Sequence, residues 1–289
     1  MARPYGKPAL APPALLAHLQ SRGLAVPHPI EALRALESIG YYRLLIYMRP
    51  LQQLGPPKTF LPGTTFDDVL ELYNFNRELR LLSLDAVERV EVALRAAVVS
   101  QVAVVHGPHF YLDPAHFREI DGFVEFFQAA RSARYLGASH YRATYDDPGL
   151  PPVWTVMEAI TYGTLSRLFS NLALQHRKAI SLRFGFDETV LVSWFRSLNV
   201  LRNMCAHHNR LWNFQMLVDQ PRVAKKLRSE LASTDRFYAR AVVLAALLRS
   251  LDPASRWKQR LQDLLARYPG VPLSAMGFPA DWHTRDFWR

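Results

Sequence analysis

The chain has 289 residues, 49% of them apolar, enough to bury a core as one large domain or two unequal ones. A single cysteine, Cys205, excludes an internal disulfide and any cysteine-based zinc site, and it fits a reducing compartment. A net charge of +10 points to a polyanionic partner, nucleic acid ahead of an acidic membrane.

The basic residues are 29 Arg and 6 Lys, a bias that a GC-rich genome produces with no function attached. Their distribution is more informative: residues 1–58 sum to +5, 59–105 to −3, 106–151 to −2, 152–215 to +4 and 216–289 to +6. The apolar runs near 96–105 and 241–248 are too short to span a bilayer, and no signal-peptide pattern opens the sequence. We therefore expect a cytoplasmic protein that does not enter a membrane.

In chain order, residues 1–13 are proline-rich and irregular. Helices are expected at 15–22, 29–39 and 41–53, with Pro29 at a first helical position and Gly23, Gly40 and Gly55-Pro56-Pro57 as breakers. Tyr41, Tyr42 and Arg43 open the third. They are possible RNA contacts, stacking on bases and gripping phosphate, or ordinary core and interface residues. Thr65-Phe66-Asp67-Asp68 is a capping-box-like start for roughly forty helical residues ending at Gly107-Pro108. Glu71, Glu78, Asp85, Glu88 and Glu91 recur along it. They read as a solvated stripe pairing with Arg80, Arg89 and Arg95, with an active-site arginine as another partner for one of them.

Residues 108–151 show the weakest helical pattern and are expected to form a loop. His106, His109 and His116 invite a metal, but no acid sits at ligand spacing, so none is assigned. Pro151-Pro152 opens a helix over 153–171. Arg177, Lys178 and Arg183 follow it, either flanking an RNA groove or lying on a solvated face. Asp187 is an N-cap for a helix over about 188–216. Further helices are expected at 223–231, 235–251 and 254–267, then an irregular tail at 268–289. No strand pattern, repeat or heptad is present. The expectation is an all-α protein with an N-terminal helical region (1–58), a helical bundle (59–267) and a tail (268–289).

The segment from Trp194 to Phe214 contains no Asp, Glu or Lys, and its polar residues are Arg, Asn, His and one Ser. An ordinary solvated face is stocked with Glu and Lys, so solubility did not choose these side chains. At ~100° per residue, Asn213, Asn199, Arg210, Asn203, Arg196 and His207 form a polar arc beginning at Arg202. His208 and Cys205 fall on the apolar arc, which removes Cys205 as a nucleophile partnered by His207. Imidazole, guanidinium and carboxamide suit RNA cleavage without a metal. Histidine titrates near neutral pH and can act as base or acid. Arginine forks onto phosphoryl oxygens, and asparagine orients without adding charge. Nucleotide-binding loops, serine-hydrolase elbows and HExxH or CxxC motifs are absent.

The block Arg202-Asn203-Met204-Cys205-Ala206-His207-His208-Asn209-Arg210-Leu211-Trp212-Asn213 resembles that of Abi-like abortive-infection proteins (the AbiD/AbiF group) within the HEPN ribonuclease superfamily. Ile39-Gly40-Tyr41-Tyr42-Arg43-Leu44 and the stretch from Tyr73 to Arg95 extend the resemblance, which runs from about Leu15 to Asn213. It implies a HEPN-like bundle and a metal-independent endoribonuclease for phage defence that leaves 2′,3′-cyclic phosphate. Arg202, Asn203 and His207 would be catalytic. Asn199, Arg210, Asn213, Arg196 and His208 would support them or bind RNA. No cofactor or metal is implied. One motif per chain implies a homodimer whose motif helices meet at the two-fold axis, with a partner, such as a structured non-coding RNA, in control. The rival readings are a catalytically silent RNA-binding or scaffold protein, and a module sensing a phage component through its aromatic N-terminal region.

Overall fold

The computed structural model describes residue 6 and residues 8–134 and 136–289. Among them no strand forms. Three isolated bridges, Ala25 with Thr65, Gln52 with Phe60 and Phe117 with Leu172, are the extended pairings, and the fold is all-α. Among the described residues no helix is long and apolar enough to cross a membrane. Residues 1–5 and 7 of the expected irregular arm lie outside the described residues, and its last two, Pro12 and Pro13, already belong to the first helix.

Three short helices, α1 (Pro12–Gln20), α2 (Pro29–Ser38) and α3 (Tyr41–Met48), come first, and Pro29 does open α2. The helix expected to reach 53 stops at Met48 and passes into a 3₁₀ turn, Arg49–Leu51, at Pro50. The long helix α4 (Phe66–Val98) begins with a reciprocal box. Asp68 N–H donates to Thr65 Oγ1 at 3.1 Å, and Thr65 N–H donates to Asp68 Oδ2 at 2.7 Å. A π turn, Val99–Ala103, and a last turn, α5 (Val104–His106), continue it to Gly107, whose φ of +90° ends the run.

The expected loop at 108–151 instead holds α6 (Ile120–Ser132) and α7 (Leu136–Thr144). Its prolines sit outside these helices, while Phe123, Phe126, Phe127 and Ala130 recur at helical spacing, with Phe126 and Ala130 buried. The single helix expected over 153–171 is two, α8 (Val153–Ala159) and α9 (Tyr162–Asn171). Thr161 breaks it by adopting an extended backbone and capping α9, accepting from Thr164 N–H at 3.2 Å.

Then come α10 (Leu174–Phe184) and α11 (Glu188–Ala206), followed by α12 (Phe237–Leu251) and α13 (Trp257–Arg267). The helix expected at 223–231 is only a 3₁₀ turn, Lys225–Leu227. Helix α12 starts at Phe237, two residues later than expected, and the Thr234 hydroxyl ahead of it donates to Gln220 Oε1 at 2.6 Å.

The chain divides into two compact units, Met1–Glu78 with Arg267–Val271, and Leu79–Ala266 with Pro272–Arg289. In the first, α1 packs on α2. The buried Tyr47 ring meets Tyr73 edge-on at 5.7 Å, and its hydroxyl accepts from Asn76 Nδ2 at 2.9 Å. Glu78 carries Arg267 and the Tyr268 hydroxyl, the latter at 2.6 Å.

In the second unit, α12 is buried on every side from Phe237 to Leu248, as a helix enclosed by others must be. Arg240 lies within it and donates through Nη2 to the Met216 carbonyl at 3.0 Å. Trp257 Nε1 donates to the Leu82 carbonyl at 2.9 Å, fastening α13 to the second part of α4. The tail expected to be irregular holds two 3₁₀ turns, Leu273–Met276 and Trp282–Thr284, and its Trp288 donates through Nε1 to the Tyr238 hydroxyl at 3.0 Å. Helix α11 packs on α9, α10 and α12.

Candidate functional site

Helix α11 starts where the sequence signals it. The Asp187 carboxylate accepts from Thr189 N–H at 2.8 Å and from the Thr189 hydroxyl at 2.6 Å. These two bonds hold it below the ordinary aspartate value. Leu191, Trp194, Phe195, Leu198, Leu201, Met204 and Cys205 make the buried face. The opposite strip carries Arg196 and Asn203, both exposed, with Asn199 and Arg202 half-buried between them.

The helix ends at Ala206, ten residues before its expected end. His208 adopts φ +58°. Its N–H donates to the Cys205 carbonyl at 3.1 Å, and Asn209 N–H donates to the Met204 carbonyl at 2.7 Å. This paired closure usually places glycine at the left-handed position; here histidine occupies it, so the sequence lacked the usual stop signal. Beyond Ala206 the helical projection no longer applies. His208 is exposed rather than among apolar side chains. Arg210 and Asn213 are not on the helical arc; they belong to the following loop, where Arg210 Nη2 donates to the Asn213 carbonyl at 3.0 Å. His207 caps the helix end and is exposed, next to the exposed Asn203.

Cys205 points into the core, and burial pushes its thiol up to about 12 despite the opposing charge of Arg80. It is no nucleophile at neutral pH.

The left-handed backbone does not stop at His208. His208, Asn213 and Asp219 are the non-glycine residues with positive φ among those described, all within the thirteen residues after α11. A conformation that costs of order 1 kcal/mol or more per non-glycine residue persists only where surrounding structure enforces it. Two side chains of α11 supply part of that enforcement. Ser193 Oγ donates to the Gln220 carbonyl (3.2 Å) and accepts from Arg222 N–H (2.7 Å). Trp194 Nε1 donates to the Arg222 carbonyl at 2.9 Å.

This stapling builds one wall of a cleft beside α11 that the sequence did not reveal. Arg118, Arg177, Arg196 and Arg222 line it with Ser170 and Thr189, against one carboxylate, Asp219. The buried Nε of Arg177 has no hydrogen-bond partner. Of the basic residues that follow α9, Arg177 therefore faces a groove. Arg118 and Arg222 come from segments distant in sequence, and no local pattern could have joined them. Farther along the strip, Asn199 lies over Gly163 of α9. A Cβ there would stand 3.3 Å from Asn199 Oδ1 and 3.4 Å from Arg167 Nη1, so glycine permits the close approach.

The carboxylates of α4 pair in part as expected, but the stripe is not solvated throughout: Arg80 is buried, and Glu91 and Arg95 are half-buried. Asp85 reaches Arg260 at 2.8 Å and Arg89 at 3.9 Å, and Glu91 pairs with Arg95. In the first unit, Tyr42 is 73% exposed and its ring meets Tyr41 edge-on at 5.5 Å, while Arg43 is exposed.

The histidines of the expected loop region also regroup. His109 turns to Tyr141, its Nε2 3.4 Å from the hydroxyl. His106 and His116 come together with His176 of α10.

A family model described as Abi-like protein matches residues 34–213, more than half of the chain, ending at the last asparagine of the motif block. No curated protein and no solved structure gives a significant match. The acid-free strip of α11, the turn that ends it and the residues that follow to Asn213 all lie inside the matched region: the chain belongs to the Abi-like protein family.

Proposed function

We propose that the protein is a metal-independent endoribonuclease of an abortive-infection system, of the HEPN type. One observation carries the reading. An exposed imidazole, His207, stands at the end of an acid-free polar strip whose other end borders a four-arginine cleft. From Arg196 to His207 is about 16 Å along a helix axis, so the strip can hold a few nucleotides of single-stranded RNA with their phosphates toward the arginines.

In the proposed reaction His207 takes the proton of a ribose 2′-OH. The resulting alkoxide attacks the adjacent phosphorus, the P–O5′ bond breaks, and the departing 5′-oxygen receives a proton from a second imidazole. The products are a 2′,3′-cyclic phosphate and a 5′-hydroxyl. Arg202 stabilises the charge on the phosphoryl oxygens in the transition state, and Asn203 orients the phosphate or the ring. Asn199, Arg196, Arg210 and Asn213 support the strand, with His208 at the strained turn. Each chain carries one motif, so the second imidazole comes from another copy, in a homodimer whose α11 ends face one another. Tyr41, Tyr42 and Arg43, with the other basic residues of 8–58, offer a surface for a regulatory RNA.

The arginine cleft by itself equally favours a protein that binds RNA without cutting it. The two readings separate on incubation of a single-stranded RNA with the protein in EDTA. Cyclic-phosphate ends that depend on His207 support the nuclease. Intact RNA held with a salt-dependent affinity supports the silent binder.

A further inference from the structure

Along the chain His106, His109 and His116 lacked a further ligand at suitable spacing, yet the fold replaces His109 with His176 and brings together three histidines from three separate segments. His106 ends α5, His116 ends a 3₁₀ turn (Pro114–His116), and His176 lies in the first turn of α10. Their ring centroids form a nearly equilateral triangle, with sides of 4.6, 4.8 and 5.0 Å. One ring nitrogen from each lies within 4.8 Å of the others, and His116 Nδ1 is 2.9 Å from His176 Nε2.

Three imidazoles bound tetrahedrally at Zn–N lengths of about 2.0–2.1 Å place their ring centroids about 5 Å apart. The triangle already has that size. We propose that His106, His116 and His176 bind a divalent transition ion of the zinc class, with the fourth position open to water.

Each ligand stands on braced backbone. The π turn Val99–Ala103 shifts the phase of the helix just ahead of His106, a feature often found at functional sites. The Asp113 carboxylate caps the turn carrying His116, accepting from Ala115 N–H at 2.8 Å. The chain after it pairs with the approach to α10. Ala173 N–H donates to the His116 carbonyl at 2.8 Å, and Arg118 N–H donates to the Asn171 carbonyl at 2.7 Å. This pairing fixes two of the three ligands relative to each other.

Burial grades across the cluster. His176 is buried, His116 half-buried and His106 exposed, so an ion has both a protected seat and a path from solvent. Desolvation, with the neighbouring imidazoles, lowers the pKa of both His116 and His176, the direction that favours the neutral, ligating ring. The neighbouring Arg118 and Arg177 line the cleft beside α11. With only nitrogen donors, zinc is favoured over magnesium or calcium. The inference is independent of the ribonuclease reading, because it uses none of the groups at the end of α11.

The test is a titration of chelator-stripped full-length protein with Co²⁺ and then Zn²⁺. We expect one Co²⁺ per chain with the visible absorption of a tetrahedral nitrogen site, displaced by Zn²⁺, and a rise in Tm with Zn²⁺. His106→Ala, at an exposed position that leaves the core untouched, removes the bands, as does His176→Ala. His207→Ala and His208→Ala keep them. Absence of a saturable site in the wild type overturns the proposal. So does binding that persists in His106→Ala and vanishes in His207→Ala.

Discussion

The guanidinium of Arg80, on α4, donates through Nη1 to the carbonyl of Asn209 at 3.5 Å, across 129 residues of sequence. Arg80 is buried, and its charge also reaches Cys205 in the last turn of α11. The turn that presents His207 thus rests on a cation in the core. A hydrogen bond from a charged donor is worth roughly 1.5–3 kcal/mol. Arg80→Met should therefore lower stability by about 1–3 kcal/mol in denaturant melts, and it should speed amide exchange at His208 and Asn209 more than in α12. Unchanged exchange at those two amides would show that the turn holds without Arg80.

His208 occupies a position where glycine is ordinarily found. His208→Gly removes the left-handed penalty, so it should leave stability unchanged or raise it by up to about 1 kcal/mol. A marked loss of stability in this variant would mean that the ring, though exposed, makes a contact the turn depends on.

The Cys205 thiol, pushed up to about 12 by burial, should be inert in the native protein. A thiol reagent at neutral pH should label nothing until denaturant is added, and then one group per chain. Rapid labelling under native conditions would contradict the buried placement.

Asp187 carries the start of α11. Asp187→Ala should cost about 1 kcal/mol at neutral pH, the usual worth of such a cap. The sign of its pH dependence follows from the Thr189 bonds, which depress the folded value below the ordinary 3.8. Between the two values the unfolded chain binds more protons, so the contribution is present above 3.8 and fades as pH falls through the folded value. Subtracting the variant's acid-denaturation curve from the wild type's isolates it. An equal difference at pH 7 and at pH 2 would dissociate the cap from the carboxylate charge.

Features governed by neighbours in sequence were legible. Pro29, the Thr65–Asp68 box and Asp187 each open the helix they signal, and the acid-free strip from Arg196 to Asn203 lies along one side of α11 as the spacing required. The stop at Ala206 was not legible, because a left-handed histidine replaced the glycine that marks such ends. The break before Thr161 was hidden by apolar residues continuing on both sides. The addition of His176 to His106 and His116, and the cleft of Arg118, Arg177, Arg196 and Arg222, were invisible for a different reason. They depend on contacts such as the pairing of 116–118 with 171–173, which no single segment encodes.

The central claim is that the imidazole at the end of α11 cuts RNA. Its most direct measurement is the rate at which purified wild type and His207→Ala cleave a defined single-stranded RNA in EDTA, with product ends identified by mass spectrometry. The account predicts 2′,3′-cyclic phosphate ends from the wild type and a loss of at least about a hundredfold in the variant at unchanged Tm. Equal cleavage by both proteins, or no cleavage by a wild type that binds the RNA, would contradict it.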